Sequence, residues 1–229
     1  MSGGEVSALP HVGTYSRRLR VGLEVLLENV LDWEHLSFLH GSSFSAVECL
    51  EQGDWGWRAR VDFQPAGAAP ALVQEVRLDR PHRRWINRTL EGPSRGTEVW
   101  SIAVPLGPDQ TEVIVDFFQP GVEPEGRESM ARAWRRLWDR LYDEDERVMR
   151  GQEREARAEG EARYRAVEID GERVVHATRC PHRGASLADC PVEDGVVTCP
   201  FHGYRFDART GKSVDGRGLR LAPAPQARA

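Results

Sequence analysis

The sequence predicts an α+β protein of two domains, and three observations lead to that prediction. Apolar and polar residues alternate with the period of a β-strand from residue 46 to residue 119. One apolar stripe with helical spacing follows that region. Short strand patterns then lead into two motifs of cysteine and histidine. At 229 residues the chain suits two small domains better than one, so we expect domains at 1–155 and 156–229.

The sheet of the first domain is preceded by a strand and a helix. Residues 16–27, SRRLRVGLEVLL, are a strand candidate with a glycine inside. Good helix formers fill residues 28–41, and Gly41 suits a helix stop. Strict alternation predicts a strand at 55–63, and turn signals such as PAGAAP and EGPSRG separate it from later strands. These later strands are predicted at 71–78, 83–90, 97–105 and 111–118, which gives an antiparallel meander.

A long helix is predicted after the Pro-rich segment PGVEPEG. Its apolar stripe consists of Met130, Trp134, Leu137, Trp138, Leu141, Val148 and Met149. The charged run after Gln152, EREARAEGEAR, has no such stripe, so we interpret it as a solvated helix end followed by a linker. From residue 163, YRAVEIDGERVVHA predicts a hairpin that turns at Asp170 and Gly171.

Two motifs near the end of the chain contain metal-ligating residue types. The first is Cys180-Pro181-His182, and the second is Cys199-Pro200-Phe201-His202. Pro follows each Cys, and Gly comes soon after each His, which predicts tight loops whose backbone N–H groups can approach sulfur. Two thiolates and two imidazoles are the ligands of a Rieske [2Fe–2S] cluster, with the cysteines on one iron and the histidines on the other.

This segment resembles Rieske proteins from Arg179 to about Gly211, through CPHRGASL, CPFHGYRFD and the trailing TG. The resemblance implies a small all-β domain that holds a [2Fe–2S] cluster. Its ligands would be Cys180, His182, Cys199 and His202. A tetrahedral zinc site on the same side chains is the alternative, although the half-motifs of zinc sites usually pair Cys with Cys and His with His.

A second group of metal-ligating residue types lies within residues 28–41. It reads N-x2-D-x2-H-x4-H and consists of Asn29, Asp32, His35 and His40. With a Rieske motif in the same chain, it resembles the mononuclear iron motif of Rieske non-haem iron oxygenases. In that family two histidines and a distant carboxylate bind Fe(II) and leave positions open for dioxygen and substrate. Surface or capping histidines that bind no metal are the alternative.

The spacing of His35 and His40 predicts an irregular helix. Two residues at i and i+5 lie about 140° apart around an ideal helix, so the pair cannot converge on one metal from a regular helix. We expect either a π-type widening between them or a position for His40 on the non-helical exit at Gly41.

The third iron ligand is predicted from helical periodicity. Among the acidic residues at 143–146, only Asp145 falls inside the apolar stripe, about 20° from Trp134 on a helical wheel. A buried carboxylate needs a partner charge or a metal, and a buried ion pair with arginine is the alternative. The resemblance adds a D-x6-Q context for the carboxylate ligand, which Asp145 and Gln152 match.

Asp32 is predicted to act beside the iron site. It precedes His35 at i,i+3 spacing, so on a helix both side chains would share a face. In the family the matching Asp links the iron site to a cluster histidine of a neighbouring subunit in a trimeric ring. That histidine would be His182 or His202, and the resemblance implies a homo-oligomer, most simply a trimer. A favourable interaction with a helix N-terminus is a further role open to Asp32.

The resemblance implies an oxygenase that uses O2 to hydroxylate, dihydroxylate or demethylate a hydrophobic organic substrate, aromatic ones included. The sequence contains no flavin or nicotinamide motif, so a separate NAD(P)H-dependent reductase or ferredoxin must supply electrons. The family usually places its Rieske domain first, whereas here a helix-grip (START-like) catalytic domain precedes it. The alternatives are a Rieske electron-transfer protein fused to a ligand-binding helix-grip domain, a zinc-stabilised binding module, and an assembly or regulatory protein with a degenerate site.

Composition and charge narrow the classes of partner. The formal charge of −5 gives no electrostatic case for nucleic acid. The N-terminal residues MSGGEVSALPHVG lack the basic and apolar regions of a signal peptide, and no run approaches the roughly 18 apolar residues of a membrane span. We therefore expect a soluble cytoplasmic protein that binds neither nucleic acid nor membrane, with Cys49 and Cys190 free and reduced.

Overall fold

The computed structural model describes residue 7, residues 9–159 and residues 163–224. The chain divides into two compact units, residues 1–144 and 145–229. The predicted boundary between 155 and 156 stays a prediction, because one helix (α2, Arg127–Arg157) runs across both positions. In the described part of the chain, no helix combines the length and the apolar character that crossing a membrane requires.

In its described residues, the first unit is built on one antiparallel sheet of seven strands. The strands are β1 (His11–Leu19), β2 (Phe44–Gly53), β3 (Gly56–Phe63), β4 (Leu72–Asp79), β5 (Arg84–Glu91), β6 (Glu98–Gly107) and β7 (Gln110–Phe118). Their order in the sheet is β1-β7-β6-β5-β4-β3-β2, so a meander from β2 to β7 is extended by β1 at the β7 edge. The meander is confirmed, and the five strands predicted between residues 55 and 118 lie within two residues of the observed bounds.

Strand alternation buries one face of the sheet. On β3 the alternate residues with exposed fractions of 4% or less are Trp57, Ala59 and Val61. On β7, Phe117 is fully buried, and its ring stacks on that of Trp134 from α2 with 5.2 Å between centroids. The predicted apolar stripe of α2 therefore packs against the sheet over the part of the helix that belongs to the first unit.

The chain between β1 and β2 differs from the prediction in two places. Residues 16–27 do not form one strand, because β1 ends at Leu19 and helix α1 (Leu23–Leu31) begins after Gly22. The i, i+3, i+4 spacing within LEVLL suits a helix, and it buries Leu26 and Leu27 to 1% exposure each.

The predicted helix over residues 28–41 is broken at Asp32, ahead of the irregularity that was predicted between His35 and His40. Helix α1 ends at Leu31, and Asp32 is extended, with φ −94° and ψ 93°. A short 3-10 helix (Glu34–Ser37) and non-helical turns then lead to β2. Asp32 and His35 consequently share no α-helix face, so the helical argument for their proximity fails.

The described residues of the second unit contain the end of α2 and five short strands. A hairpin of β8 (Tyr164–Ile169) and β9 (Glu172–Ala177) is confirmed at the predicted turn, where Asp170 and Gly171 both have positive φ angles of 53° and 76°. The remaining strands are β10 (Val192–Glu193), β11 (Val196–Thr198) and β12 (Arg205–Asp207). They form a three-stranded sheet in the order β10-β11-β12.

The charged run at the end of α2 is not wholly solvated as predicted. Helix α2 continues to Arg157, and Glu155 within the run is only 2% exposed. Its carboxylate accepts hydrogen bonds from Thr178 Oγ1 and Ser186 Oγ, each at 2.7 Å. The prediction took the lack of an apolar stripe as a sign of solvent exposure, whereas the buried face of these turns is polar. Residues 160–162 of the predicted linker lie outside the described residues.

Candidate metal centres

The two Cys/His motifs of the second unit form loops with the same backbone hydrogen bonds. In the first loop, Cys180 N donates to the carbonyl five residues later at 2.9 Å, and Gly184 N donates to Cys180 O at 3.0 Å. The second loop repeats the pattern at Cys199 and Gly203, at 2.8 and 3.0 Å. Both glycines have positive φ angles, 73° and 70°, which a side chain would strain. The Gly after each His in the sequence is therefore required by the turn.

These loops bring the four predicted cluster ligands together. The rings of His182 and His202 lie 4.6 Å apart between centroids. Cys180 and Cys199 are 2% and 0% exposed. The two sulfurs interact closely enough to share a proton, which lowers the pKa of Cys199 and raises the pKa of Cys180. Paired sulfurs beside paired imidazoles fit the ligand set of a Rieske cluster.

Aromatic rings pack around the two histidines. The Tyr204 ring stacks on His182 with 4.4 Å between centroids and an interplanar angle of 15°. The Phe201 ring lies 4.1 Å from that of His202. Phe201 and Tyr204 are both buried. Neighbouring rings limit the rotation of each imidazole, so the two nitrogen ligands are held before a cluster binds.

The last turns of α2 hold the first loop from outside. Gln152 Nε2 donates to the carbonyl of Arg183, the residue after His182, at 2.8 Å. One turn further, Glu155 binds both Thr178 and Ser186, which flank the loop on its two sides. Sequence reasoning missed Glu155, and only its place in a charged run close to the first motif could have pointed to it.

None of the four cysteines, all of which lie within the described residues, forms a disulfide. Cys49 lies on β2 and is half-buried. Burial raises the pKa of Cys190 to about 11, so this thiol stays protonated at neutral pH. Its Sγ lies 3.7 Å from the carbonyl oxygen of Ser186.

In the first unit, the break in the helix brings His35 and His40 together. His35 lies in the 3-10 helix Glu34–Ser37, and His40 lies in the turn that follows. Their ring centroids are 5.1 Å apart, and the two residues are 4% and 1% exposed. Of the two geometries that the spacing allowed, the structure shows His40 on the non-helical exit beside Gly41.

Glu144 on α2 is the partner of His40. The distance from His40 Nδ1 to Glu144 Oε2 is 2.6 Å, and Ser42 Oγ donates to the other carboxylate oxygen at 3.4 Å. A carboxylate at Nδ1 favours the tautomer with its proton on that nitrogen and leaves Nε2 as the acceptor that can bind a metal. The helical wheel placed Glu144 outside the apolar stripe, so sequence reasoning missed it.

Asp145 is the buried member of the acidic run, as the helical wheel predicted. It is 7% exposed, whereas Asp143 is exposed and pairs with Arg17 at 2.7 Å. Glu144 and Glu146 are half-buried. Asp145 follows the partner of His40 directly along an unbroken helix. Its assignment as the third iron ligand stays a prediction.

Asp32 is buried to 3% exposure beside the histidine turn. Its Oδ1 accepts a hydrogen bond from the backbone N–H of Glu34 at 3.2 Å. The side chain thus stabilises the start of the 3-10 helix that contains His35. This contact is a local structural role, and the predicted link to a neighbouring subunit stays a prediction.

Comparison with known proteins identifies the second unit. Residues 140–224 match the Rieske [2Fe-2S] domain family. The chain is 49% identical over 61 residues to aminopyrrolnitrin oxygenase PrnD of Pseudomonas fluorescens, which is 24% of this chain and 16% of that protein. It is 45% identical over 47 residues to cholesterol 7-desaturase nvd of Hemicentrotus pulcherrimus, 20% of this chain and 10% of that protein. The matches therefore span no more than 16% of these relatives.

Solved structures resemble the fold of the first unit. A START superfamily protein from Mycobacterium smegmatis superposes with a TM-score of 0.50 and 19% identity, over 60% of this chain and 99% of that one. A protein from Thermus thermophilus gives a TM-score of 0.50 and 18% identity, over 60% of this chain and 95% of that one. At this identity the likeness shows the fold alone. The chain thus has a START-like helix-grip fold followed, at residues 140–224, by a Rieske [2Fe–2S] domain.

Proposed function

We propose that the protein is a Rieske-type oxygenase. It would use O2 and externally supplied electrons to hydroxylate, dihydroxylate or demethylate a hydrophobic organic substrate. The [2Fe–2S] cluster would be held by Cys180, His182, Cys199 and His202. A mononuclear non-haem Fe(II) would be held by His35, His40 and Asp145.

The buried histidine pair and its carboxylate partner carry this proposal. Two imidazoles lie 5.1 Å apart away from solvent, and the half-buried Glu144 that contacts His40 is adjacent in sequence to the buried Asp145. Consecutive Cα atoms are about 3.8 Å apart. The helix that brings Glu144 to His40 therefore also brings the backbone of Asp145 close to it. Two histidines and one carboxylate are the ligands of the facial triad in non-haem Fe(II) oxygenases.

The residues of the chain have separate tasks in this function. When bound, the cluster supplies single electrons and the iron site supplies dioxygen activation. Glu144 keeps a proton on His40 Nδ1, so that Nε2 remains available as a ligand. Burial of His35 and His40 keeps bulk water away from both imidazoles.

The cluster would have to receive its electrons from a donor, and this sequence contains no flavin or nicotinamide motif. We propose a NAD(P)H-dependent reductase or a ferredoxin as that donor. We also propose a homo-oligomer, most simply a trimer, in which Asp32 links the iron site to a cluster histidine of a neighbouring copy. The similarity of the Rieske domain to that of oxygenases supports an external electron donor. The burial of Asp32, three residues before His35 in the sequence, supports its proposed role.

Iron and sulfide quantitation on anaerobically purified protein tests the proposal. We expect about three iron atoms for every two acid-labile sulfides, one more than a [2Fe–2S] cluster contains. His202→Ala should lose the EPR signal of the reduced cluster and keep the additional iron. Asp145→Ala should lose the additional iron and keep the EPR signal of the reduced cluster. Asp143→Ala, at an exposed residue of the same helix, is its matched control.

Three outcomes would contradict the proposal. Equal amounts of iron and sulfide in the wild type would favour an electron-transfer protein fused to a ligand-binding domain. A colourless protein that contains zinc would favour a binding module. Loss of all iron from His202→Ala would mean that the two sites are not independent. If both centres load, substrate-dependent O2 uptake then distinguishes an enzyme from a degenerate relative.

A further inference from the structure

A cationic pocket lies beside the first cluster loop, within the second unit. It has a volume of about 550 Å³, and the cluster ligands Cys180 and His182 are part of its wall. Four arginines line the same pocket, namely Arg163, Arg179, Arg183 and Arg220. No aspartate or glutamate is among the described residues that line it.

Three of these arginines have no carboxylate partner among the described residues. Arg163 Nε and Arg220 donate to main-chain carbonyls, at 2.5 and 3.1 Å, which do not neutralise a guanidinium. Arg179 packs against Gly184, where a Cβ would lie 3.1 Å from its Nε. Within residues 9–159 and 163–224, no carboxylate forms an ion pair with Arg163, Arg179 or Arg220.

Other arginines of the same unit are paired with carboxylates, as Arg154 is with Asp189 at 3.0 Å. Arg209 binds Asp170 at 3.1 Å and Glu172 at 3.6 Å. The chain as a whole has a formal charge of −5. The pocket is therefore locally positive in a chain whose net charge is negative, and its positive charge lies beside a cluster ligand.

We propose that this pocket is the docking surface for an acidic electron-donor protein. Carboxylates of the donor would lie against Arg163, Arg179 and Arg220, which have no carboxylate partner among the described residues. The inference rests on the proposed function, which requires an external donor. Electrons have to enter near the cluster ligands, and His182 lines this pocket. Opposite charges steer such encounters and raise association rates by ten-fold or more at low salt. A small inorganic anion is the competing occupant, since it binds guanidinium groups through the same chemistry.

Stopped-flow reduction of the full-length protein with its cluster loaded tests the docking surface. The cluster absorption is followed after mixing with a reduced acidic [2Fe–2S] ferredoxin, or with photoreduced lumiflavin as a small neutral reductant. The test variant combines Arg163→Gln, Arg179→Gln and Arg220→Gln. Arg173→Gln is the matched control, because Arg173 is exposed on β9 and does not line the pocket.

We expect the ferredoxin rate at low salt to fall by about ten-fold or more in the triple variant and by less than about two-fold in Arg173→Gln. Added salt should slow the wild type towards the variant. The lumiflavin rate should be the same in all three proteins. If the triple variant fails to load its cluster, Arg163→Gln with Arg220→Gln replaces it, since within the described part of the chain both side chains bond to main-chain carbonyls away from the ligands.

Two results would overturn the inference. Equal ferredoxin rates in wild type and variant would show that the arginines do not dock the donor. Specific inhibition by phosphate at constant ionic strength, lost in the variant while its ferredoxin rate is unchanged, would identify a site for small anions instead. Failure of lumiflavin to reduce the wild type would overturn the cluster assignment itself, and therefore the proposed function with it.

Discussion

Replacing Glu155 by alanine should destabilise the second unit and release its cluster. The carboxylate is 2% exposed and accepts two hydrogen bonds, each of 2.7 Å, from Thr178 and Ser186. Thr178 precedes Cys180 by two residues and is itself 2% exposed. Without Glu155, the buried Thr178 hydroxyl loses its carboxylate partner beside a cluster ligand.

The size of the effect follows from those contacts. A hydrogen bond to a charged group contributes about 1.5–3 kcal/mol to stability. Ser186 Oγ keeps a second partner, because Arg154 donates to it at 2.8 Å, so the loss on that side is smaller. We therefore expect Glu155→Ala to cost about 3–4 kcal/mol. Glu155→Gln keeps the size and one acceptor oxygen, so it should cost about 1–2 kcal/mol.

The midpoint of guanidinium unfolding, followed through the cluster absorption, measures these differences. Glu193→Ala is the control, because Glu193 is exposed on β10 of the same unit, and it should stay within about 0.5 kcal/mol of the wild type. A double-mutant cycle with Thr178→Val should give a coupling energy of about 1 kcal/mol or more. The reasoning is refuted if Glu155→Ala matches the control, or if the coupling is zero.

Three further predictions concern single residues. Glu144→Gln should weaken Fe(II) binding by about 10- to 100-fold in an anaerobic titration, whereas the exposed Asp143→Asn should not. Gly184→Ala should lower cluster occupancy more than Gly216→Ala, since both positions have φ above 70° but, of the two, Gly184 closes a cluster loop by donating to Cys180 O at 3.0 Å. Burial and a hydrogen bond to a carboxylate raise the pKa of Tyr15 to about 12. The folded state thus binds this proton more tightly, so stability should fall between about pH 10 and pH 12, and Tyr15→Phe should remove that part of the fall in unfolding free energy.

The sheet and the cluster loops were predictable because their signals are local. A strand with one buried face alternates its residues along the sequence, so the bounds of β3 to β7 could be placed within two residues. The Cys and His residues of each loop stand within four positions of each other. The interior position of Asp145 followed from the apolar stripe of its own helix.

Contacts between distant segments could not be predicted in the same way. His40 and Glu144 are separated by 104 positions in the sequence, and Glu155 meets Thr178 only because α2 packs against the start of the first loop. Helix propensity also gave no sign that the chain becomes extended at Asp32. Each of these features depends on tertiary packing, which no periodicity in one segment encodes.

The last prediction concerns electron transfer from the proposed cluster to the proposed iron site, and whether the two centres that exchange electrons belong to the same chain. Resemblance to the family favours transfer between subunits, but α2 offers a connection within the second unit. Asp145 and Gln152 are seven residues apart on this helix, about 10 Å along its axis, and Gln152 bonds to the carbonyl next to His182 at 2.8 Å. Mixed oligomers of His202→Ala and His35→Ala chains decide between these routes. Substrate-dependent O2 uptake by the mixture would require transfer between subunits, since neither chain has both centres. An inactive mixture, formed under conditions in which co-expressed wild-type chains assemble and are active, would place transfer within one chain and would contradict the proposed trimeric arrangement.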